Sequence, residues 1–109
     1  MVLATIRMII PPKKREEALR ILRAMGEQCK VHSSCLGCHV YEDVQEHNVI
    51  IFEEMWNTEE DLAQHLRSEE YHDVLLVMEM ALKHPEVRFN TVATSTGIET
   101  IEKARSSKE

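Results

Sequence analysis

The chain has 109 residues, 43% of them hydrophobic, with three glycines and three prolines, a length and composition that suit one globular domain and leave no room for a second. A formal net charge of -6 and a pI near 5.5 argue against a nucleic-acid partner, because the one basic cluster, Lys13, Lys14 and Arg15, is followed at once by Glu16 and Glu17. No apolar run approaches the roughly 20 residues that a membrane-spanning helix needs, so neither nucleic acid nor membrane is an expected partner.

The opening MVLATIRMII carries Arg7 inside its apolar run and lacks a basic leader or a small-residue cleavage site, so it reads as a strand and not as a secretory signal. Cytoplasmic residence is therefore the expectation, and there the three cysteines are reduced thiols. That strand runs from Val2 to Ile10 and stops at Pro11-Pro12, which cannot continue a ladder. Pro12 is suited to a helix start, and Ala18, Leu22, Met25 and Cys29 then recur at helical spacing, which predicts one buried helical face. Gly26 within it weakens the helix by about 1 kcal/mol relative to Ala and is read as a mark of close approach to a neighbouring backbone.

Val31 to Ser34 is a polar connection, and Cys35 to Val44 reads as the second strand. A turn over Gln45, Glu46, His47 and Asn48 returns the chain as a hairpin. The third strand opens with Val49, Ile50, Ile51 and Phe52, apolar at both strand parities, so both faces of the sheet are predicted to be dry there. Glu53, Glu54, Met55 and Trp56 continue it. Asn57 or Thr58 then caps a helix, with Glu60 or Asp61 completing a capping-box pattern.

In that helix Leu62, His65 and Leu66 share a stripe, which sets His65 beside apolar neighbours. Ser68 separates it, as a cap, from a second helical piece predicted over Glu69 to Lys83, with Tyr71, Val74, Leu75, Met78, Ala81 and Leu82 as its apolar face. His84-Pro85 ends that piece and Glu86 to Thr94 follows as the fourth strand. Thr96 to Glu99 offers another capping box for a short amphipathic helix bearing Ile98, Ile101 and Ala104, and the residues after Arg105 are expected to be loose. The expected division is a folded domain over residues 1–96 and a terminal helix and tail over 97–109.

Strand, helix, strand, strand, helix, strand is the ferredoxin-like α+β order, βαββαβ, with a four-stranded antiparallel sheet covered by helices on one face. The uncovered face carries Leu3 and Ile9 of the first strand and Val49 and Ile51 of the third, and is expected to be too apolar for water. A second copy of the chain is the simplest cover, since one self-complementary patch then buries both sheets.

Two further patterns tempt a metal reading. Cys35-Leu36-Gly37-Cys38-His39 spells the CxxCH pattern of c-type haem attachment, but that chemistry needs an exported chain. On a regular strand Cys35 and His39 face one side and Cys38 the other, which divides any tetrahedral set drawn from Cys29, Cys35, Cys38 and His39. No metal site is expected, and no role for the three cysteines is assigned.

The residues also carry a family resemblance. Cys35-Leu36-Gly37, then His39-Val40-Tyr41-Glu42-Asp43, then FEEMWNTEEDLAQHL and Ser68-Glu69-Glu70-Tyr71 together resemble the antibiotic biosynthesis monooxygenase domain, one of the dimeric α+β barrel families. The match runs from the first strand to the fourth, and its most specific pieces are Glu54, Trp56 and His65-Leu66. The resemblance implies a homodimer joined through the sheet face and a pocket between sheet and helices. It further implies monooxygenation of a quinol-like or polycyclic phenolic substrate, a small hydrophobic aromatic ligand, with no cofactor, neither flavin nor metal.

Such a substrate supplies its own electrons once deprotonated, so the protein needs a base, an apolar cavity and donors for the developing oxyanion. His65 is the candidate base, with an ordinary imidazole titrating near pH 6.5, although a core-edge histidine bonded to a carboxylate fits the same position. Trp56 is read either as a pocket wall whose indole N–H donates to substrate or as a plug at the strand–helix corner. Glu54, on the parity of Phe52 and Trp56, is the third candidate catalytic group; buried, it requires a partner, and Arg7 or Arg88 is expected to supply the ion pair. Phe52, Tyr71 and Arg7 are the candidate substrate contacts, with His72 weaker.

The first strand lacks the asparagine of haem-degrading relatives, and polyketide-tailoring relatives carry polar groups where Phe52 and Leu62 stand here. The alternative to an oxygenase is a dimeric, non-catalytic module of the same fold that binds a small hydrophobic ligand or answers stress.

Overall fold

The computed structural model describes residues 1–106. Strand β1 spans Val2–Ile9, a 3-10 turn over Pro12–Lys14 leads into helix α1 (Arg15–Cys29), and β2 (Cys35–Glu42) and β3 (Val49–Trp56) form the hairpin. Helices α2 (Glu59–Arg67) and α3 (Tyr71–Met80), strand β4 (Glu86–Thr91) and helix α4 (Ile98–Ser106) complete the described chain. The four strands lie in the order β2-β3-β1-β4, all antiparallel, which is the ferredoxin-like α+β arrangement expected.

Alternation along β1 decides which face is covered. Val2, Ala4, Ile6 and Met8 are buried against the helices, whereas Leu3, Thr5, Arg7 and Ile9 are half-buried on the other side. From α1 the stripe Ala18, Leu19, Leu22, Met25 and Cys29 packs down onto the same core as Ile50, Phe52 and Trp56 of β3. Each fully buried Leu, Ile, Met or Phe in that layer contributes about 1.5–3 kcal/mol. Gly26 does not face a backbone, as its spacing suggested: a Cβ there meets the Cys38 Sγ at 3.6 Å, an ordinary contact.

The hairpin turn is fixed by Asn48, whose φ of 64° lies in the left-handed region that Asn tolerates better than most residues. Asp43 accepts from the Gln45 amide at 2.8 Å and the Asn48 carbonyl accepts from the Ile10 amide at 2.8 Å, which ties the turn to the end of β1.

Helix α3 corrects the predicted apolar face. Its buried residues are Tyr71, Val74 and Val77, while Leu75 and Leu82 are exposed, and the helix ends at Met80. The reason is a tertiary hydrogen bond: the Leu82 amide donates to the Ile9 carbonyl at 2.9 Å, drawing the chain toward β1 before the helix reaches Lys83. Ser68 stops α2 and does not start α3, its hydroxyl donating to the His65 carbonyl at 2.7 Å.

The uncovered sheet face is more mixed than expected. Leu3, Ile9, Ile51 and Met55 alternate there with Thr5, Arg7 and Glu53, and Arg7 bonds Glu46 at 2.6 Å with Asp43 and Glu86 nearby at 3.7 and 3.8 Å. On β4, Val87 and Phe89 share the helix-side parity of Ile6 and Ala4 yet stay exposed. Helix α4 buries none of its side chains. Ser106 still belongs to α4, and the rest of the tail expected to be loose, 107–109, lies outside the described residues.

Candidate functional site

Three elements converge at one end of the sheet, on its helix side. Helix α1 delivers Cys29 from its last turn, β3 delivers Glu54 and Trp56, and α2 delivers His65. Position and capping explain why α2 arrives there. Thr58 caps the helix by accepting from the Asp61 amide at 3.1 Å. The Asp61 carboxylate accepts from the hydroxyls of Thr58 at 2.8 Å and Ser34 at 2.6 Å. Those two hydroxyls hold the Asp61 carboxyl below its ordinary range. A further bond, Asn57 amide to Ser34 carbonyl at 2.9 Å, joins the α1–β2 connection to the end of β3. The connection thereby sets His32 against Trp56, ring centroids 5.8 Å apart.

Glu54 is only 2% exposed, and its partner is neither Arg7 nor Arg88 but His65, whose Nε2 lies 2.8 Å from Oε2. Register explains the correction. Arg7 pairs with Ile51 and Arg88 with Thr5, so both arginines stand on the uncovered face. The same Oε2 accepts from the Cys29 thiol at 3.3 Å, and Cys29 Sγ lies 3.9 Å from His65 Nε2. Carboxylate and thiol both address one ring nitrogen, so the trio is not a nucleophile–base–orienter relay, which would use the two nitrogens separately. Nδ1 makes no hydrogen bond among the described residues.

Burial works to lower the His65 imidazole, but the hydrogen bonds to Cys29 and Glu54 outweigh it and raise the ring from its ordinary 6.5 to about 9. Cys29 itself is pushed up strongly by the neighbouring Cys38 thiol and by burial, so it is a neutral thiol. At neutral pH the ring is therefore imidazolium. Burial likewise pushes Tyr71 up, keeping its phenol protonated.

Aromatic rings enclose the pair. Trp56 lies 4.7 Å from the His65 ring, tilted by 31°, and Tyr71 meets it edge-on at 5.2 Å. The Trp56 Nε1 is buried and is the one buried side-chain polar atom among the described residues that lacks a hydrogen-bond partner. A cavity of about 500 Å³ opens onto Cys29 and His65 beside Met25, Gln28, His32 and Glu70. A neighbouring one of about 340 Å³ reaches Trp56, His65, Ser34 and Gln64.

Of the residues expected at the site, the structure brings together His65, Trp56, Glu54 and Tyr71. Phe52 is 1% exposed and sits in the core, lining neither cavity, and Arg7 lies on the opposite face of the sheet. Cys29 and His32 were not anticipated. In the sequence Cys29 reads as the last member of the α1 core stripe and as one of a divided set of possible metal ligands with Cys35, Cys38 and His39, and His32 follows in a connection with no periodicity to read.

Strand β2 holds a second correction. An irregularity at Leu36 pairs Cys35 with Trp56 and Cys38 with Glu54, so both thiols face the helices, and only His39 takes the other side, stacked on Tyr41 at 5.8 Å. Burial raises the Cys35 thiol to about 11.

The fold and site define a ferredoxin-like α+β domain with a buried carboxylate–imidazole pair, an adjoining thiol and an unpartnered indole donor at the mouth of a cavity. Residues 1–75 match the family described as antibiotic biosynthesis monooxygenase, and the chain belongs to that family. Among solved structures it is similar to a conserved protein from Methanosarcina mazei Go1, at 21% identity and a TM-score of 0.75 over 82% of this chain and 89% of that one. It also resembles one described as an antibiotic biosynthesis monooxygenase, with 19% identity, a TM-score of 0.75 and coverage of 86% and 100%. Rv0793 from Mycobacterium tuberculosis is similar at 18% identity, TM-score 0.78, covering 88% of this chain and 98% of that chain. At these identities the structures speak for the fold alone. No curated protein matches. No described helix is long and apolar enough to cross a membrane.

Proposed function

We propose that this chain is a cofactor-independent monooxygenase acting on a quinol-like or polycyclic phenolic substrate, working as a homodimer that covers the open sheet face. The observation that carries the reading is the orphaned Trp56 Nε1, a buried donor placed beside the Glu54–His65 pair with a cavity at hand. A buried donor without a partner costs about 1–3 kcal/mol, and a substrate oxygen that accepts from it recovers that cost on binding.

In this reading the substrate ring lies in the cavity against Trp56. The neutral form of His65 accepts the phenolic proton through Nδ1, the nitrogen that Glu54 and Cys29 leave open, and Glu54 balances the imidazolium that results. Trp56 donates to the phenolate oxygen. The electron-rich anion then reacts with dioxygen. For an anthrone-type ring the methylene carbon becomes a carbonyl: four electrons pass to dioxygen, one oxygen atom is retained and the other leaves as water, and no external reductant enters.

The test is oxygen uptake by the purified chain with a panel of hydroquinones and anthrones, in the presence of a chelator and without added flavin. Uptake with an oxygenated product, lost in His65→Gln, is the expected result. Ligand binding with no uptake for any member overturns the oxygenase reading and leaves a non-catalytic binding module, which the imidazolium state of His65 at neutral pH favours.

A further inference from the structure

We infer that Cys29, Glu54 and His65 form a binding site for a single divalent transition-metal ion of the zinc class, entered from the 500 Å³ cavity. This goes beyond the oxygenase reading and stands without it. The three donor atoms all lie within 4.8 Å of one another, and all three residues are buried. Their separations are 2.8 Å (Oε2 to Nε2), 3.3 Å (Sγ to Oε2) and 3.9 Å (Sγ to Nε2). Zinc bonds of about 2.0–2.3 Å in tetrahedral geometry demand donor–donor edges of roughly 3.3–3.8 Å. Shifts of about half an ångström, within the reach of side-chain torsions, convert the hydrogen-bonded trio into one face of a coordination tetrahedron.

The donor chemistry selects the metal. One thiolate, one imidazole and one carboxylate suit zinc and its neighbours, whereas calcium and magnesium prefer all-oxygen shells. Thiolate and carboxylate together offset the charge of a divalent ion, so the centre is neutral overall with water in the fourth position. A second thiol stands alongside. Cys38 faces Glu54 across the β2–β3 ladder and packs against α1 near Gly26. It is placed to take the fourth position, which otherwise falls to water from the cavity. Metal at Nε2 fixes the His65 proton on Nδ1, so the loaded chain cannot use that ring as a base.

The experiment titrates the reduced, chelator-stripped full chain with Co(II) as a spectroscopic probe, then with Zn(II) in competition. The site predicts one Co(II) per chain, a thiolate-to-metal charge-transfer band, visible absorption of tetrahedral intensity, and stoichiometric displacement by Zn(II). Cys29→Ser should abolish the band where water is the fourth ligand and weaken it where Cys38 is, and in either case weaken binding by more than the roughly 10–100-fold that losing an outer-shell partner costs. Should Cys29→Ser fail to fold, Glu54→Gln must weaken binding by a comparable factor.

Cys38→Ser keeps the band, with affinity reduced if Cys38 is the fourth ligand. No binding by the unaltered chain, or a band of undiminished intensity with unchanged affinity in Cys29→Ser, overturns the site, the latter assigning the metal to the β2 thiols. Metal binding without oxygen uptake sinks only the oxygenase reading, and uptake without metal binding sinks only this one.

Discussion

Two ion pairs on opposite faces of one sheet show how far environment, and not residue type, sets the worth of a charge. Glu54 and His65 meet on the helix side with 3% and 6% of their side chains exposed, whereas Arg7 meets Glu46, Asp43 and Glu86 on the open side at 29% exposure. The open-side set has more partners and a shorter contact, 2.6 Å against 2.8 Å. Water nevertheless screens it and the long side chains lose entropy to hold it. The buried pair gains from low dielectric and has no solvent to fall back on, so either partner alone is a liability.

The largest effect expected from this contrast is on Glu54. Glu54→Ala deprives the buried imidazole of its partner, so that the ring must give up its proton or remain uncompensated, and should cost about 3–5 kcal/mol of stability, read as a fall in urea midpoint at constant slope. Replacing both partners by apolar residues of similar volume, Glu54→Met with His65→Leu, should recover most of that loss. A double variant as unstable as the single one would mean that the pair itself, and not the stranded charge, holds the fold.

Next in size is catalysis. Trp56→Phe keeps the ring and removes the donor, and turnover of an accepted substrate should fall by roughly 10²–10³ while the melting temperature changes little. Unchanged turnover would reduce Trp56 to a core plug.

The third expectation concerns pH. Because the folded state raises His65 from 6.5 to about 9, the pair's contribution is fully present below pH 6.5 and is lost as pH rises through about 9. The stability advantage of the natural chain over His65→Gln, measured with a chelator present, should shrink across that window by an amount of order a few kcal/mol. A flat difference would show that Glu54 does not hold the ring protonated. The smallest effect is Arg7→Ala, which should leave the melting temperature unmoved at moderate salt, and a clear fall would break the comparison.

Much of this was readable from local pattern. The strand and helix order followed from β-branched runs, Pro11-Pro12, the Thr58 cap and His84-Pro85, because each is a short-range rule acting on neighbours. Trp56, Glu54 and His65 were reachable through the family resemblance, and parity correctly put Glu54 on the side of Phe52. What parity could not supply was register: only the pairing of Arg7 with Ile51 shows that the nearest arginine stands on the wrong face for Glu54. Cys29 escaped for a related reason. Its helical stripe announced burial, but which strand the end of α1 covers is settled by packing far along the chain. The α3 face differs from the predicted one at two positions: Leu82 lies beyond the helix end, where its amide bonds Ile9, and Leu75, although it fits the helical period, is exposed beside the buried stripe of Tyr71, Val74 and Val77.

The extra residue at Leu36 has a reach out of proportion to its size. Two positions three apart on a strand ordinarily look away from each other, and here a single unpaired residue turns both toward the interior. Deleting Leu36 would make the ladder regular and leave both sulfurs facing inward, still opposite Trp56 and Glu54. Lengthening the strand by one beyond Cys35 would swing that thiol out to the solvent. The number of residues between these cysteines is thus a dial for how many sulfurs look inward, adjustable without touching β3 or either helix above it.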